Sequence, residues 1–443
     1  MDISQIVQVT ITRTTAVATL PGFGVPGILA QFATSKTTTA FTRGRYYASL
    51  SEMTADGWTA VDSVYLAASK VFGQSPKVPR LFVGRIDSGD ASMAAALDAI
   101  RSEQDDWYCF TVVGHRAIKF VLSDDTVTGN VIKSTINGTS VADITWATSH
   151  AATMAAWKVA IEAALVGSVA TVSGREMSVV FVGRDLYAGT FSVTGGATIP
   201  TATITYPLDA TKTKAIMAWT ETQKKLYGFS DSDPATYAVD TGNAGTACLA
   251  EYAKLNSYER SFCIYHANGG DFIAAAWMGK ELPYDPGART WALKNLSGVT
   301  PDSLTLSQDG YVRGKNANTY TTTAAYSHTY AGTCAKNSTY IDDIRGLDWL
   351  ESTIKLDQFN LLGGSGKVPF TNPGIELVGN TLKGSLGKAE QKTVLDAGWT
   401  VSLPDISQVS AEDKAARQLT GITFSGDLAG AIQKVVIAGS YSA

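Results

Sequence analysis

The stretch Leu81-Phe82-Val83-Gly84 is apolar at alternate and intervening positions alike, and the breakers Gly73, Pro76 and Pro79 precede it. A strand with one wet face alternates apolar with polar residues, so this one is covered on both faces. On its amino side, Trp58, Val61, Tyr65, Ala68 and Phe72 recur at helical spacing over 58–72. On its carboxyl side, Met93, Leu97 and Ile100 mark another helix, and 107–113 reads as a second strand. Helix, strand, helix, strand with an apolar strand predicts a parallel sheet between layers of helices.

The alternation returns later in the chain. A helix over 212–222 leads to a strand over 226–229. A helix over 241–255, through Ala244, Cys248, Tyr252 and Leu255, leads to a buried strand over 261–267 and a helix over 271–280. Between the two α/β stretches the texture changes. Short Thr/Val/Ser strands are predicted at 130–136, 168–173, 177–182, 189–194 and 201–206. One helix over 150–165 interrupts them, carrying Met154, Trp157, Ile161 and Leu165. Turns at Asn137-Gly138 and Gly195-Gly196 punctuate the strands. Residues 115–207 therefore read as a β-rich domain inserted into the α/β one.

Toward the carboxyl end, 304–318 holds a short helix and 320–326 a strand. Ile341, Ile344, Leu347, Leu350 and Ile354 form a helix stripe. Asp342 and Asp343 lie in its first turn, where carboxylates suit the positive end of the helix dipole, and they are read so rather than as a metal pair. Asn372-Pro373 starts a helix through Ile375, Val378, Leu382 and Leu386. A strand over 399–403 opens a terminal β unit. Ile422 and Phe424 alternate with Thr423 and Ser425, and 432–438 reads as the second strand of a final hairpin. The chain also begins with a strand, in which Gln5, Val7, Val9 and Ile11 alternate with Ile6, Gln8, Thr10 and Thr12. An apolar strand at a terminus must find an edge to pair with, in its own subunit or in a neighbour.

Catalytic signatures fail on inspection. Gly22-Phe23-Gly24-Val25-Pro26-Gly27 spells G-x-G-x-x-G, but Pro26 and the Thr-rich residues up to Thr39 do not open a helix, so 20–27 is read as a linker. Gly363-Gly364-Ser365-Gly366-Lys367-Val368 lacks a Ser or Thr after Lys367, and Leu361 stands where a phosphate loop needs glycine; it reads as a flexible loop. His115, His150, His266 and His328 are scattered. Cys263 and His266, three apart on a strand, point to opposite faces. No metal and no cofactor is expected.

Composition bounds the rest. A chain of 443 residues suggests two to four domains, and 45% apolar residues suffice for real cores. Charged residues are 17%, against an average of about 25%, as suits a surface hidden in an assembly or, equally, one rich in Thr and Ser. The net charge is -4 with no basic block, so nucleic acid is not an expected partner. Cys109, Cys248, Cys263 and Cys334 lack C-x-x-C spacing and read as buried reduced thiols. Met1-Asp2-Ile3-Ser4 carries no signal-peptide features, and the longest apolar run, 272–278, falls short of the ~20 residues that span a bilayer. The expectation is a soluble chain made in the cytosol, without a direct membrane partner.

Four blocks carry a resemblance. They are Tyr65 with Phe72-Gly73-Gln74-Ser75-Pro76 and Leu81-Phe82-Val83-Gly84-Arg85; Trp291-Ala292-Leu293-Lys294-Asn295-Leu296-Ser297-Gly298-Val299-Thr300-Pro301; Tyr340-Ile341-Asp342-Asp343-Ile344-Arg345-Gly346-Leu347-Asp348-Trp349-Leu350; and Ala415-Ala416-Arg417, Gly421-Ile422-Thr423-Phe424, Leu428-Ala429-Gly430-Ala431-Ile432 and Val435-Val436-Ile437-Ala438-Gly439. In this order they resemble the contractile tail sheath proteins of myovirus-type bacteriophages and related injection systems. The resemblance implies a multi-domain α/β fold with an inserted β-rich domain, a carboxyl-terminal α+β domain and terminal strands exchanged between subunits. Residues 1–20 would be an arm, 21–114 with 208–340 a middle domain, 115–207 an outward-facing domain, and 341–443 an inner domain that meets the tail tube. The arm residues would be Ile6, Val7, Val9 and Ile11 at one end and Ile432, Val435, Val436 and Ile437 at the other. Partners would be copies of itself in hexameric rings stacked helically, the tube protein, and baseplate and terminator proteins, in a virion assembled in a bacterial cytoplasm. A sheath must hold its tube and then release it, which favours polar contacts. Glu412, Asp413, Lys414 and Arg417 are the first candidates for them, followed by Lys383, Lys388 and Lys392. An α/β enzyme, or a tube or baseplate protein, is the alternative.

Overall fold

The computed structural model describes residues 22–239 and 248–437. Two units separate by their contacts. One comprises Leu350–Gln391 and Leu395–Asp427; the other comprises 22–349, Lys392–Val394 and 428–437. The protein is mixed α/β and multi-domain, as expected.

The larger unit begins with β1 (Pro26–Gln31), β2 (Gly44–Tyr47), α1 (Leu50–Ala55), α2 (Ser63–Phe72), β3 (Leu81–Ile86), α3 (Met93–Glu103) and β4 (Cys109–Val113). An all-but-β stretch follows: β5 (Ile118–Leu122), β6 (Val131–Ile136), β7 (Thr139–Ser140), β8 (Ile144–Thr145), α4 (His150–Ala164), β9 (Ser168–Ser173), β10 (Glu176–Phe181), β11 (Gly189–Thr194) and β12 (Ala202–Thr205). Then come α5 (Ala210–Glu221), β13 (Leu226–Asp231), α6 (Pro234–Tyr237), α7 (Leu249–Leu255), β14 (Ser261–Tyr265), α8 (Ile273–Glu281), α9 (Leu306–Gly314), β15 (Thr319–Thr323) and β16 (Tyr326–Tyr330).

Six strands form the main sheet in the order β14-β13-β4-β1-β3-β2. All neighbours are parallel except β2, which lies antiparallel on β3. The five parallel strands, numbered by chain order, run 2-1-3-4-5, a doubly wound arrangement that switches direction between β1 and β4. Every residue of β3, β4 and β14 is buried, which explains their mostly apolar sequences, with Arg85, Thr111 and Ser261 the polar exceptions. Leu29, Phe82, Phe110, Tyr227 and Cys263 pack on one face against Leu97 of α3, Met217 of α5 and Ala250 of α7. α2 and α8 pack together against the sheet, and Trp277 of α8 meets Phe262 edge-on at 5.6 Å.

The linker reading of 20–27 is wrong where it matters most. Pro26 and Gly27 are the first two residues of β1, the central strand. Proline is tolerated there because the first residue of a strand can do without a donor. Gly27 is required by close packing, since a Cβ would lie 3.1 Å from Phe110 Cβ and 3.3 Å from the Trp107 ring. The helix expected over 58–72 starts only at Ser63, with Trp58 buried ahead of it. The strand expected over 320–326 is a hairpin, β15 with β16. Of the helix expected over 241–255, residues 241–247 lie outside the described residues.

The insertion has its own core. β12-β5-β10-β9 form one four-stranded sheet; β11-β6-β7, with β8 also on β6, form another. Phe120, Trp157 and Phe191 stack between them with Met154, Ile161 and Met177, and Trp157 Nε1 donates to Ser134 Oγ at 2.9 Å. Asn137 and Gly138 take the left-handed conformation (φ 47° and 78°) that the β6–β7 turn needs.

The smaller unit takes most of α10 (Ile341–Gly364), then α11 (Asn372–Gln391), β17 (Thr400–Ser402), α12 (Ala411–Ala416) and β18 (Thr423–Ser425). α10 runs through Gly363 and Gly364, so the loop expected at 363–368 begins only after them. The final hairpin is not formed as expected. β18 pairs with β17, Thr423 opposite Ser402, and 431–437 belong to no strand.

The first turns of α10 carry two buried charges that the apolar stripe did not reveal. Leu347 is 41% exposed, whereas Arg345 and Asp348 are each 3% exposed. The Arg345 guanidinium donates to the carbonyls of Glu281 (3.2 Å), Leu282 (3.0 Å), Tyr284 (2.7 Å) and Phe23 (3.1 Å). It thus caps the end of α8 and grips the approach to β1. Asp348 accepts from the Tyr108 hydroxyl at 2.7 Å and from both Arg260 terminal nitrogens at 2.6 and 2.9 Å. Tyr108 and Arg260 immediately precede β4 and β14, so both charges fasten the amino-terminal edge of the sheet. Arg345→Met keeps the bulk and orphans several carbonyls. It should lower stability by about 3 kcal/mol or more, read from urea unfolding; a loss below ~1 kcal/mol would refute the cap.

Asp342 does sit in the first turn, but burial overrides the dipole there. Its Oδ1 lacks a hydrogen-bond partner, and burial lifts its carboxyl to about 7. A carboxyl whose folded value is raised favours folding in its neutral form, so its share of stability is present below about 4 and lost as pH rises through about 7. Asp342→Asn should therefore raise the melting temperature at pH 8 and leave it nearly unchanged at pH 4. An equal effect at both pH values would argue against a buried neutral carboxyl.

Candidate assembly surfaces

Doubly wound sheets take their ligands outside the carboxyl ends of the strands, at the switch point. Here the chain itself fills that place, between β1 and β4. Residues 183–185, leaving β10, cross it: Gly183 N donates to the Gly114 carbonyl at 3.2 Å. Gly183 has φ +78°, and a Cβ on it would come within 2.8 Å of the Gln31 carbonyl at the end of β1. The buried Asp185 carboxylate accepts from the backbone of Gly114 (2.8 Å), His115 (3.1 Å) and Arg116 (2.8 Å). Arg116, also buried, donates to Tyr206 O (2.8 Å), Ser230 O (2.6 Å) and Ser232 Oγ (2.7 Å). Entry and exit of the insertion are thereby tied to each other and to β13. The G-x-G-x-x-G stretch lies at the opposite, amino-terminal edge of the sheet.

Among the described residues no three His, Cys, Asp or Glu side chains group as metal ligands, and no helix is long and apolar enough to cross a membrane. All four cysteines are buried and unpaired, and burial pushes each thiol above its ordinary value. Cys263 packs in the core, as the strand geometry suggested, while His266 meets Asp271 and Asp302.

What the surface offers is apolar edge. Ile432, Val435, Val436 and Ile437 are 84%, 71%, 81% and 88% exposed. The side chain of Gln433 anchors this segment by donating to Thr290 Oγ1 at 3.1 Å. The segment leaves a groove of about 240 Å³ lined by Arg289, Asp342, Asp343 and Val394. The expected amino-terminal arm residues Ile6, Val7, Val9 and Ile11 lie outside the described residues.

In the smaller unit, Asp357 of α10 ties α11 down through Ser385 (2.7 Å) and Lys388 (2.8 Å). Ile354, Leu362, Val378, Ile422 and Phe424 line an apolar groove of about 470 Å³. β17 and β18 form a ribbon of only three residue pairs; a two-stranded sheet is marginal by itself and leaves edges open.

The expected tube-facing residues are dispersed over this unit. Glu412, Asp413 and Lys414 sit on α12, capped by Ser410, whose Oγ accepts from Asp413 N at 3.0 Å. Asp413 also accepts from Thr420 Oγ1 at 2.9 Å, and Arg417 is the left-handed residue that ends the helix and lines the apolar groove. Lys383 is exposed on α11, Lys388 is paired with Asp357, and Lys392, in the larger unit, is paired with Asp285.

Comparison of the sequence with protein-family profiles and with curated proteins finds no match. Solved structures do match, over nearly the whole chain. A chain of the anti-feeding prophage (AFP) baseplate is 12% identical, with a TM-score of 0.53 over 98% of this chain and 99% of that one. The AFP helical sheath in its contracted state is 11% identical, with a TM-score of 0.53 over 98% of both chains. The contracted sheath of the extracellular contractile injection system PVC is 10% identical, with a TM-score of 0.55 over 98% of this chain and 96% of that one. At identities this low the likeness is one of fold, and by that measure the chain has the fold of a contractile sheath protein.

Proposed function

We propose that the chain is a non-enzymatic structural subunit of a contractile sheath, in a phage tail or a related injection system. Copies would polymerise as a helical cylinder of stacked rings around a tube, meet a baseplate at one end, and contract to drive the tube through an envelope. The observation that carries this reading is the end-to-end likeness to sheath subunits, covering 98% of this chain and 96% of the PVC sheath chain. The plugged switch point speaks for a scaffold over an enzyme. Residues 21–114 with 208–340 would form the middle layer, 115–207 the outer one and 341–443 the inner one, facing the tube. Negative-stain microscopy of the purified protein tests the function: hollow cylinders or rings are expected, and a strict monomer at high concentration would count against it.

Strand exchange would join the copies. Main-chain ladder bonds at an open edge give affinity with little demand on side chains, and the exposed Ile432, Val435, Val436 and Ile437 suit an arm awaiting an edge on another copy. Ile6, Val7, Val9 and Ile11 would form the other arm. Removing 432–443 or 1–12 should leave a folded protein that no longer forms cylinders. Full-length cylinders from either truncation would overturn the arm.

Contact with the tube would be polar and would come from α12 and the lysines of α11. Reversing Lys414 and Arg417 together to Glu should weaken assembly templated on tubes, in a salt-dependent way, while spontaneous polymers persist. Unchanged templated assembly at low salt would remove α12 from the interface.

A further inference from the structure

Residues 282–305 link α8 to α9 without helix or strand. A connection this long inside a compact unit is unusual and must be held by specific contacts. Most of them are neutral. Leu293 N reaches Thr329 O at 2.7 Å, Asn295 Nδ2 reaches Ser327 O at 2.9 Å, and Ser297 N reaches Gln74 Oε1 at 3.0 Å. The last stretch is held differently, around one buried imidazole.

His266 follows β14 and is 2% exposed. Its Nδ1 lies 2.9 Å from Asp302 Oδ2 and its Nε2 lies 3.1 Å from Asp271 Oδ2. Ionised carboxylates only accept hydrogen bonds, so a ring between two of them must carry a proton on both nitrogens. Asp302 Oδ1 accepts from Ala267 N at 2.9 Å, and Asp271 accepts from Thr300 N at 3.2 Å and from Lys70 Nζ of α2 at 3.1 Å. Lys70 Nζ also donates to the Gly298 carbonyl. The cluster thus joins β14, the turn Gly269–Asp271, residues 298–302 and α2. From β13, Asp231 meets His266 only through its carbonyl, which accepts from His266 N at 2.9 Å; its carboxylate turns to Thr236 and Asp233. Tyr265 is the other titratable group beside Asp302.

We propose that His266, as an imidazolium clamped between Asp271 and Asp302, is an alkali-sensitive latch that fastens the end of the 282–305 segment to the sheet and to α2. Loss of the ring proton leaves one carboxylate facing a nitrogen lone pair in a buried site, and that carboxylate must find water or move. The local unit then opens at the 298–302 segment before the rest of the fold.

Burial by itself would lower the His266 value, and the hydrogen bonds and charges of Asp271 and Asp302 outweigh it, so the net shift is upward. A histidine raised on folding contributes stability that is complete below about 6.5 and lost as pH rises through the folded value. Burial would raise Asp271, but His266, Thr300 N and Lys70 hold it down to about 2. The Asp271 side of the latch therefore fails only in acid, well away from the alkaline window.

The test is a titration of the histidine ring signals by NMR in the full chain, kept monomeric at low concentration. The His266 ring, identified by the signal missing in His266→Gln, should titrate above the ordinary value of about 6.5. Hydrogen exchange at Thr300 and the neighbouring amides should speed up at least tenfold beyond its ordinary pH dependence as that signal titrates. The amides of β1 should keep their protection. A second variant, Asp302→Asn, keeps the histidine and should bring its titration down toward 6.5. A His266 ring that is neutral at pH 6, or 298–302 exchange that follows the ordinary pH dependence across its titration, would overturn the latch.

Discussion

A buried guanidinium cannot be left without acceptors, and the larger unit is arranged around that constraint. Arg345 sits where α8 ends, where the last carbonyls of a helix have no partners of their own. The terminal guanidinium nitrogens and those carbonyls serve one another, and the carbonyl of Phe23 is drawn into the same set, while Nε stays without a partner. One turn on, Asp348 needs donors for the same reason and finds them in Tyr108 and Arg260. Burial raises the Tyr108 hydroxyl far above its ordinary range, and Asp348 raises it further, so it stays a donor. The approaches to β1, β4 and β14 are thus held in register by two side chains from one helix. Such a set specifies an arrangement more than it adds stability, since an apolar replacement of all its members could pack as well.

At the opposite edge of the sheet, the switch point between β1 and β4 is filled by a different device, beside a cavity of about 570 Å³ at the ends of β1 and β3. A parallel sheet ends in carbonyls and loops that in many proteins cradle a ligand. Here Asp185 takes the amides of Gly114, His115 and Arg116 in place of an anion. The same contacts fix the root of the inserted β domain, because Arg116 and Leu208 bridge at its entry and exit. With Phe120, Trp157 and Phe191 filling an independent core, the insertion can vary in sequence without disturbing the sheet. In mechanical terms the plug turns a binding cleft into a joint.

How much of this was legible in the sequence depends on which physical signal dominates locally. Leu81-Phe82-Val83-Gly84 announced a doubly covered strand, since burial on both faces favours apolar residues along its length. β1 was hidden because Pro26 and Gly27 are breakers everywhere except at a strand's first residue or under an aromatic ring. The face of α10 was misjudged at Leu347 because Arg345 and Asp348 are buried by hydrogen bonding, which hydropathy does not register. The pairing of β18 with β17 depends on contacts 21 to 25 residues apart in sequence, and 432–437 looked like its partner only by proximity. The candidate tube-facing charges were found as charges. Their local employment, such as Lys388 on Asp357 and Asp413 on Thr420, could not be read without the fold.

The carboxyl-terminal segment brings the sequence and the physics together. Ile432, Val435, Val436 and Ile437 have the composition of a buried strand and the exposure of a surface loop. Leaving four such side chains in water forgoes roughly 1.5–3 kcal/mol each relative to burial. The strand-exchange arrangement proposed above would supply that cover from another copy of the chain. Main-chain pairing suits that task because it tolerates rotation and sliding of the bodies it joins, whereas side-chain interdigitation does not. In the proposed polymer, subunits that stay connected while their packing changes would need a bond of that kind, and the ends of the chain are where it costs the fold least.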